Sequence, residues 1–145
     1  NDIASFHGRY HQLEGVSLGI RPVQDPIPVW IGGYAEPVFK RAAYLGDGWC
    51  GNIVPYERAK DIVSKLRHYS SEAGRKRELG MSFCATLHKP AKWRQGIQVP
   101  VDWEQYINDY TELGATHLEV STTRFGALKT VEEHIDAITR FKDHF

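Results

Sequence analysis

Sulfur is scarce in this chain, with two cysteines and one methionine among 145 residues. Cys50 and Cys84 stand in separate apolar stretches that read as strands, and no Cys-x-x-Cys spacing occurs. The sequence therefore offers neither a zinc knuckle nor a thioredoxin-type redox pair, and both thiols are expected to be free. Charge of one sign is lacking too: 18 Lys+Arg balance 18 Asp+Glu, for a formal net charge of +0. Without a basic excess or a basic run, nothing draws a phosphodiester backbone or an anionic bilayer, so neither nucleic acid nor a membrane is an expected partner. No apolar run approaches the ~20 residues of a membrane span. The opening residues, Asn1-Asp2-Ile3-Ala4-Ser5, lack the basic and apolar regions of a secretory signal, which makes the cytoplasm the expected location.

What is present is ordinary globular material, 41% hydrophobic and 25% charged, enough for one core. From residue 27 onward, short runs of strand character alternate with helical periodicity, the pattern of βα units around a parallel sheet. Pro28-Val29-Trp30-Ile31 reads as the first strand, closed by Gly32-Gly33, with a helix from Pro37 to Leu45 behind it. After the turn Gly46-Asp47-Gly48, a second strand is predicted over Trp49 to Val54. Ala59, Ile62, Val63, Leu66 and Tyr69 then mark one face of a helix that Gly74 stops. The third strand is read from Met81 to Leu87. A long loop follows from His88 to Val101, of a length that suggests a lid or binding loop. Asp102 with Gln105 forms a capping-box pattern ahead of Trp103, Tyr106, Ile107, Tyr110 and Leu113, and Gly114 ends that helix. His117 to Ser121 reads as the fourth strand. Thr130 with Glu133 caps a last helix, whose Val131, Ile135, Ile138 and Phe141 are predicted to be its buried stripe.

Residues 1–26 read differently, as an irregular hairpin or loop segment laid over something else, so the chain divides into 1–26 and an α/β portion, 27–145. A Rossmann-type sheet lacks its fingerprint here, since the only glycine pair at a strand end is not spaced G-x-G-x-x-G. A (β/α)8 barrel takes roughly 250 residues, and the units read here make about half of one.

The most informative constellation is Gly32-Gly33-Tyr34-Ala35 ahead of a helix. Two readings fit it: backbone N–H groups and a helix dipole receiving an anion such as phosphate, or a tight βα turn that needs glycine for its backbone. No Lys-Ser or Lys-Thr follows, so it is not a nucleotide triphosphate loop. His7 and His11, four apart, lack a third ligand nearby, and no metal site is expected. Asp47 is expected to serve its turn by a local side-chain bond. His88, Lys89, Lys92, Trp93 and Arg94, and likewise Thr122, Thr123 and Arg124, fall after strands, on the face where barrel enzymes place their sites. Solvated loop charge is the simpler account of them. Glu112, Glu132 and Glu133 are expected on helix faces turned to solvent and to i,i+4 partners. No nucleophile–base arrangement can be assigned, and the catalytic residues stay unknown.

The run Pro26-Ile27-Pro28-Val29-Trp30-Ile31-Gly32-Gly33, with Glu36-Pro37, Arg41-Ala42-Ala43 and Gly46-Asp47-Gly48-Trp49, resembles the bacterial luciferase-like flavin-dependent oxidoreductases. Phe6-His7-Gly8-Arg9-Tyr10 and Pro22-Val23-Gln24-Asp25-Pro26 are similar to the excursion this family inserts before its fifth barrel strand. The resemblance implies a (β/α)8 TIM-barrel fold, of which this chain is approximately the C-terminal half, strands five to eight. It implies FMN or the deazaflavin coenzyme F420 as cofactor, with Gly32, Gly33, Tyr34 and Ala35 at the cofactor phosphate. Family members often carry Ser where this chain has Ala35. The chemistry then belongs to the cofactor: activation of dioxygen by reduced FMN, or hydride transfer between F420 and an alcohol, aldehyde or unsaturated bond of a small-molecule substrate. The wording of the glycine motifs leans towards the F420 branch. Catalytic residues would come from the other half, and the implied partner is a second copy or a complementary half-barrel. The alternatives are a flavin- or phosphate-binding module without catalysis, or a structural half-barrel.

Overall fold

The structure is a computed structural model that describes residues 3–17, 19–20, 22–87, 103–123 and 128–144. Its first part is an antiparallel hairpin, β1 (Ala4–His7) against β2 (Gln12–Val16), in which Phe6 pairs with Leu13. Ser5 donates to Glu14 Oε1 at 3.0 Å and His7 Nε2 meets Glu14 Oε2 at 3.0 Å. Alternation along the strands thus separates an apolar side, with Phe6 and Leu13, from a polar one.

The remainder repeats strand and helix: β3 (Trp30–Gly32), α1 (Glu36–Leu45), β4 (Gly48–Cys50), α2 (Tyr56–Glu72), β5 (Gly80–Thr86), α3 (Trp103–Glu112), β6 (His117–Ser121) and α4 (Val131–His144). The strands form one parallel sheet in the order β3-β4-β5-β6, each beside its successor in the chain. This is the order of consecutive βα units in a barrel wall, and the chain is a partial (β/α) barrel.

Alternation gives the sheet two different faces. Outward, Trp49 and Phe83 meet edge to face at 5.5 Å and pack with Phe39 of α1, Leu66 of α2 and Tyr110 of α3 in the core. Both rings are fully buried, and burial of a side chain such as Phe83 is worth about 1.5–3 kcal/mol. All five residues expected on the inner face of the second helix, Ala59, Ile62, Val63, Leu66 and Tyr69, lie buried there. Inward, Trp30 lays its indole across Gly48 and Gly80 of the next two strands and reaches His117 of β6, ring to ring at 4.8 Å. A Cβ on Gly48 would stand 2.5 Å from Trp30 Cδ2, and one on Gly80 2.6 Å from its Cη2. The two glycines make room for one large ring.

Three expectations need correction. The first strand is Trp30–Gly32 instead of Pro28–Ile31. Pro28 has no N–H, and the N–H of Val29 donates to Asp47 Oδ2 at 2.8 Å while its carbonyl receives Asp47 N at 2.8 Å. Val29 is thereby tied to the turn before β4. Asp47 does serve structure, but with Val29 and not within its own turn. The second strand ends at Cys50 instead of Val54, because Asn52 N–H donates to the Tyr34 hydroxyl and Ile53 N–H to Asn52 Oδ1, which turns the chain out of the ladder.

The third correction concerns α4. Its capping box forms as read, with Glu133 N–H on Thr130 Oγ1 at 3.2 Å and Thr130 N–H on Glu133 Oε2 at 3.1 Å. The predicted stripe is not buried: Val131, Ile135 and Ile138 are 67%, 58% and 48% exposed, and Ala137 is the buried residue of the helix. Phe141, the fourth residue of the stripe, is half-buried against Trp103 at 5.2 Å. The helical period is right, but α4 follows the last strand of the sheet, and among the described residues the helix is covered on one side alone. The capping role given to Asp102 and the loop from His88 to Val101 lie outside the described residues.

Candidate functional site

The C-terminal ends of the parallel strands carry the residues that chemistry would need. Gly32 closes β3, and Gly33, Tyr34 and Ala35 lead into α1. Gly33 adopts φ +129°, a region that residues with a Cβ rarely occupy, so the turn itself demands glycine. The loop is held from β4. Trp49 Nε1–H donates to Gly33 O at 2.9 Å, and the Tyr34 hydroxyl accepts Asn52 N–H at 2.6 Å while its ring stands edge-on to Trp49 at 6.0 Å.

Ala35 is the N-cap of α1, extended at φ −79° and ψ 146°, with no side-chain cap. Within the first turn Pro37 has no N–H, and the N–H of Val38 is taken by Ala35 O at 2.8 Å. The N–H groups of Tyr34 and Ala35 make no backbone hydrogen bond among the described residues. Open donors at the head of a helix suit an anion. Glu36, the acidic residue of this turn, is turned to the Tyr69 hydroxyl, which donates to its carboxylate. That bond is the main cause holding the Tyr69 phenol up at about 12, with desolvation second.

The inner face of the sheet is polar above the Trp30 ring. Ser82 of β5 donates to Glu119 Oε1 of β6 at 2.8 Å, and the register sets Cys84 beside Glu119 and Thr86 beside Ser121. This lining was missed in the sequence. His117-Leu118-Glu119-Val120-Ser121 alternates polar and apolar residues, and that period of two was the signal available. Behind the sheet, burial raises Tyr106 and Tyr110, the latter to about 12; Tyr110 donates to Val54 O and Tyr106 to Cys84 O at 3.3 Å.

The other candidates fall elsewhere. His7 pairs with Glu14 on the hairpin, and His11 O accepts Gly8 N–H at 2.9 Å in its turn. Among the described residues no group of three or more His, Cys, Asp and Glu side chains could hold a metal ion. Cys50 and Cys84 form no disulfide with each other. Thr122 and Thr123 follow β6 at the same end as the glycine loop, whereas His88, Lys89, Lys92, Trp93, Arg94 and Arg124 lie outside the described residues. Among the described residues no helix is long and apolar enough to cross a membrane.

Comparison with solved structures places the fold. A monooxygenase, RslO1 from Streptomyces bottropensis, superposes with a TM-score of 0.67 at 17% identity, over 100% of this chain and 55% of that one. The coenzyme F420 dependent tetrahydromethanopterin reductase of Methanopyrus kandleri gives 0.64 at 14% identity, over 92% and 55%. An F420-dependent secondary alcohol dehydrogenase, solved with an F420-acetone adduct, gives 0.62 at 14% identity, over 84% and 51%. Uncharacterised proteins of Mycobacterium bovis and Mycobacterium tuberculosis are 28% identical over 74 residues, 51% of this chain and 25% of theirs. This chain thus spans about half the length of the similar solved structures, and its match covers a quarter of those curated relatives. Residues 1–137 match the sequence model of the family described as luciferase-like monooxygenase, and with the parallel strand order and the glycine loop at its C-terminal end already in view, the chain belongs to that family.

Proposed function

We propose that this chain is the cofactor-phosphate half of an oxidoreductase or monooxygenase that uses FMN or coenzyme F420 on a small-molecule substrate. The observation that carries the reading is the loop Gly32-Gly33-Tyr34-Ala35, where the N–H groups of Tyr34 and Ala35 make no backbone hydrogen bond among the described residues and stand at the head of α1 beside a glycine at φ +129°. These residues fit a phosphate: the donors are oriented, no side chain caps the helix, and the Glu36 carboxylate is engaged by Tyr69. The bound cofactor would supply hydride transfer or activation of dioxygen, and the protein its orientation and electrostatics.

In this reading Trp49 and Asn52 keep the loop in register with β4, and Trp30 closes the inner face at the opposite end of the strands. Ser82 and Glu119 give that face a hydroxyl and a carboxylate for polar groups of cofactor or substrate. The F420-dependent dehydrogenase and reductase among the similar structures, and the family's description as monooxygenases, support the two cofactor branches about equally. Among the described residues β3 and β6 have no outer partner strand and one side of α4 is exposed, which calls for a complementary half-barrel, from the rest of a longer chain or from a second copy. The cytoplasm, where Cys50 and Cys84 would stay reduced, is the compartment this reading assigns.

Titration of the full-length protein with FMN and F420 by fluorescence tests it. Gly33→Val forces a β-branched residue into φ +129° and brings its Cβ to 3.2 Å from Val38 Cγ2, so affinity should fall about tenfold or more. Lys92→Ala should change it much less, because this reading rests on the oriented backbone donors of the glycine loop and assigns Lys92 no contact. Riboflavin, which has no phosphate, should be nearly indifferent to both. Equal losses in the two variants, or a larger one for Lys92→Ala, would remove the loop from the site.

A further inference from the structure

A second feature beside the glycine loop points to the same chemistry from a different element. Arg58, in the first turn of α2, holds its guanidinium carbon 4.8 Å from the centroid of the Tyr34 ring. Tyr34 is held through its hydroxyl by Asn52 and along its edge by Trp49. The carboxylates nearest Arg58 in its own helix are engaged by lysines, Glu57 with Lys60 at 2.6 Å and Asp61 with Lys65 at 2.8 Å. Among the described residues no carboxylate pairs with Arg58. An arginine resting on an aromatic face uses the flat side of its cation, which leaves the N–H groups on its rim able to reach an oxyanion. An exposed cation with no carboxylate partner among the described residues therefore rests on the same residue whose N–H makes no backbone hydrogen bond among them.

We infer that Arg58, positioned by the Tyr34 ring, is a side-chain contact for the phosphate oxyanion held at the Gly32–Ala35 loop, and that it sets the preference for phosphorylated over unphosphorylated cofactor. The inference rests on the proposed role of that loop and adds to it a residue from α2. Its anion can come from two sources, the phosphomonoester of FMN or the phosphodiester of F420. The monoester carries more charge at neutral pH and gains more from a guanidinium.

The test is a set of dissociation constants for the full-length protein, measured by flavin fluorescence with FMN, riboflavin, F420 and the phosphate-free deazaflavin precursor of F420. Arg58→Ala should weaken the phosphorylated partner of at least one pair about tenfold and leave its phosphate-free counterpart within about twofold, the scale of one charge-assisted hydrogen bond. The pair that responds identifies the source. Arg58→Lys, which keeps the charge and loses the planar stack, should fall between. Raising the salt concentration should narrow the gap between wild type and Arg58→Ala. Equal losses for phosphorylated and phosphate-free ligands, or none for either pair, would overturn the inference while the loop's role stands. A wild-type protein that binds none of the four would overturn both. Arg58 is exposed, and unchanged circular dichroism would confirm that its variants fold.

Discussion

Adding one methyl group to either of two inner-face glycines should unseat the Trp30 ring. At Gly48 an added Cβ would lie 2.5 Å from Trp30 Cδ2 and Cε3 and 2.7 Å from Cε2; at Gly80 it would lie 2.6 Å from Cη2 and 2.9 Å from Cζ2. Comfortable contact between carbons begins at about 3.5 Å, so each methyl overlaps the ring by close to 1 Å. The backbones cannot separate to relieve it, because Trp30 pairs with Gly48 and Gly48 with Gly80 in the ladder. The indole must leave its place against His117. Overpacking of this kind costs about 1–3 kcal/mol, and urea denaturation followed by far-ultraviolet circular dichroism resolves it for Gly48→Ala and Gly80→Ala. The decisive arm is the double variant. With Trp30→Leu already present the space is open, and the same Gly→Ala change should cost nothing or stabilise by about 0.4–1 kcal/mol through the unfolded chain. If Gly48→Ala costs as much beside Leu as beside Trp, the ring is not what fills that space and the reasoning fails.

Thr130→Ala removes the hydroxyl that accepts Glu133 N–H and should destabilise the protein by about 1 kcal/mol, read from the urea midpoint; Thr130→Ser should restore it. Alkaline titration should lower stability between the ordinary tyrosine range and about pH 12, because Tyr69 and Tyr110 stay protonated to about 12 when folded but ionise near 10 when unfolded. The unfolded state binds fewer protons there, so the slope is negative, and Tyr69→Phe should flatten part of it; an unchanged profile in that variant would acquit the Glu36 bond. The isolated 145-residue chain should self-associate or bind a hydrophobic dye, since among the described residues β3 and β6 are the outer strands of the sheet and Val131, Ile135 and Ile138 of α4 are exposed. A cooperatively folded monomer in sedimentation that binds no dye would contradict this.

Much of the fold could be read in the sequence because each βα unit carries its own local signals. The α2 face appeared in the spacing of Ala59 to Tyr69, β6 in the run from His117 to Ser121, and the α4 cap in Thr130 and Glu133. Reading failed where a long-range partner decided the outcome. Val29 has strand character, but its hydrogen bonds go to Asp47; Asn52 continues an apolar run, but its N–H goes to a tyrosine side chain in the preceding loop. The stripe on α4 has the right period, but among the described residues only its Phe141 end is covered, by Trp103, and periodicity cannot say whether a face is covered. At the site, Gly32 to Ala35 stood out because a glycine pair before a helix is a local signal. Arg58 and Tyr34 meet only once α2 folds back beside the loop. Glu119 could have been found from the alternation in β6, although its Ser82 partner could not.

The unbroken strand order β3-β4-β5-β6 bears on how such a wall is assembled. Every pairing in this sheet joins a strand to the next one in the chain, so each unit can dock on its predecessor by closing one helical crossover, with no wait for more distant sequence. Of the pairings open to a parallel sheet, those between successive strands lose the least chain entropy before their contacts form. Growth by that rule leaves the two outermost strands unpaired until the end. The contacts that seal a complete barrel between its first and last strands are the most remote in sequence, and they should form last. Substitutions on the bare face of α4 should therefore speed unfolding while leaving folding of the wall unchanged, whereas those at Trp49 and Phe83, where three units meet, should slow it.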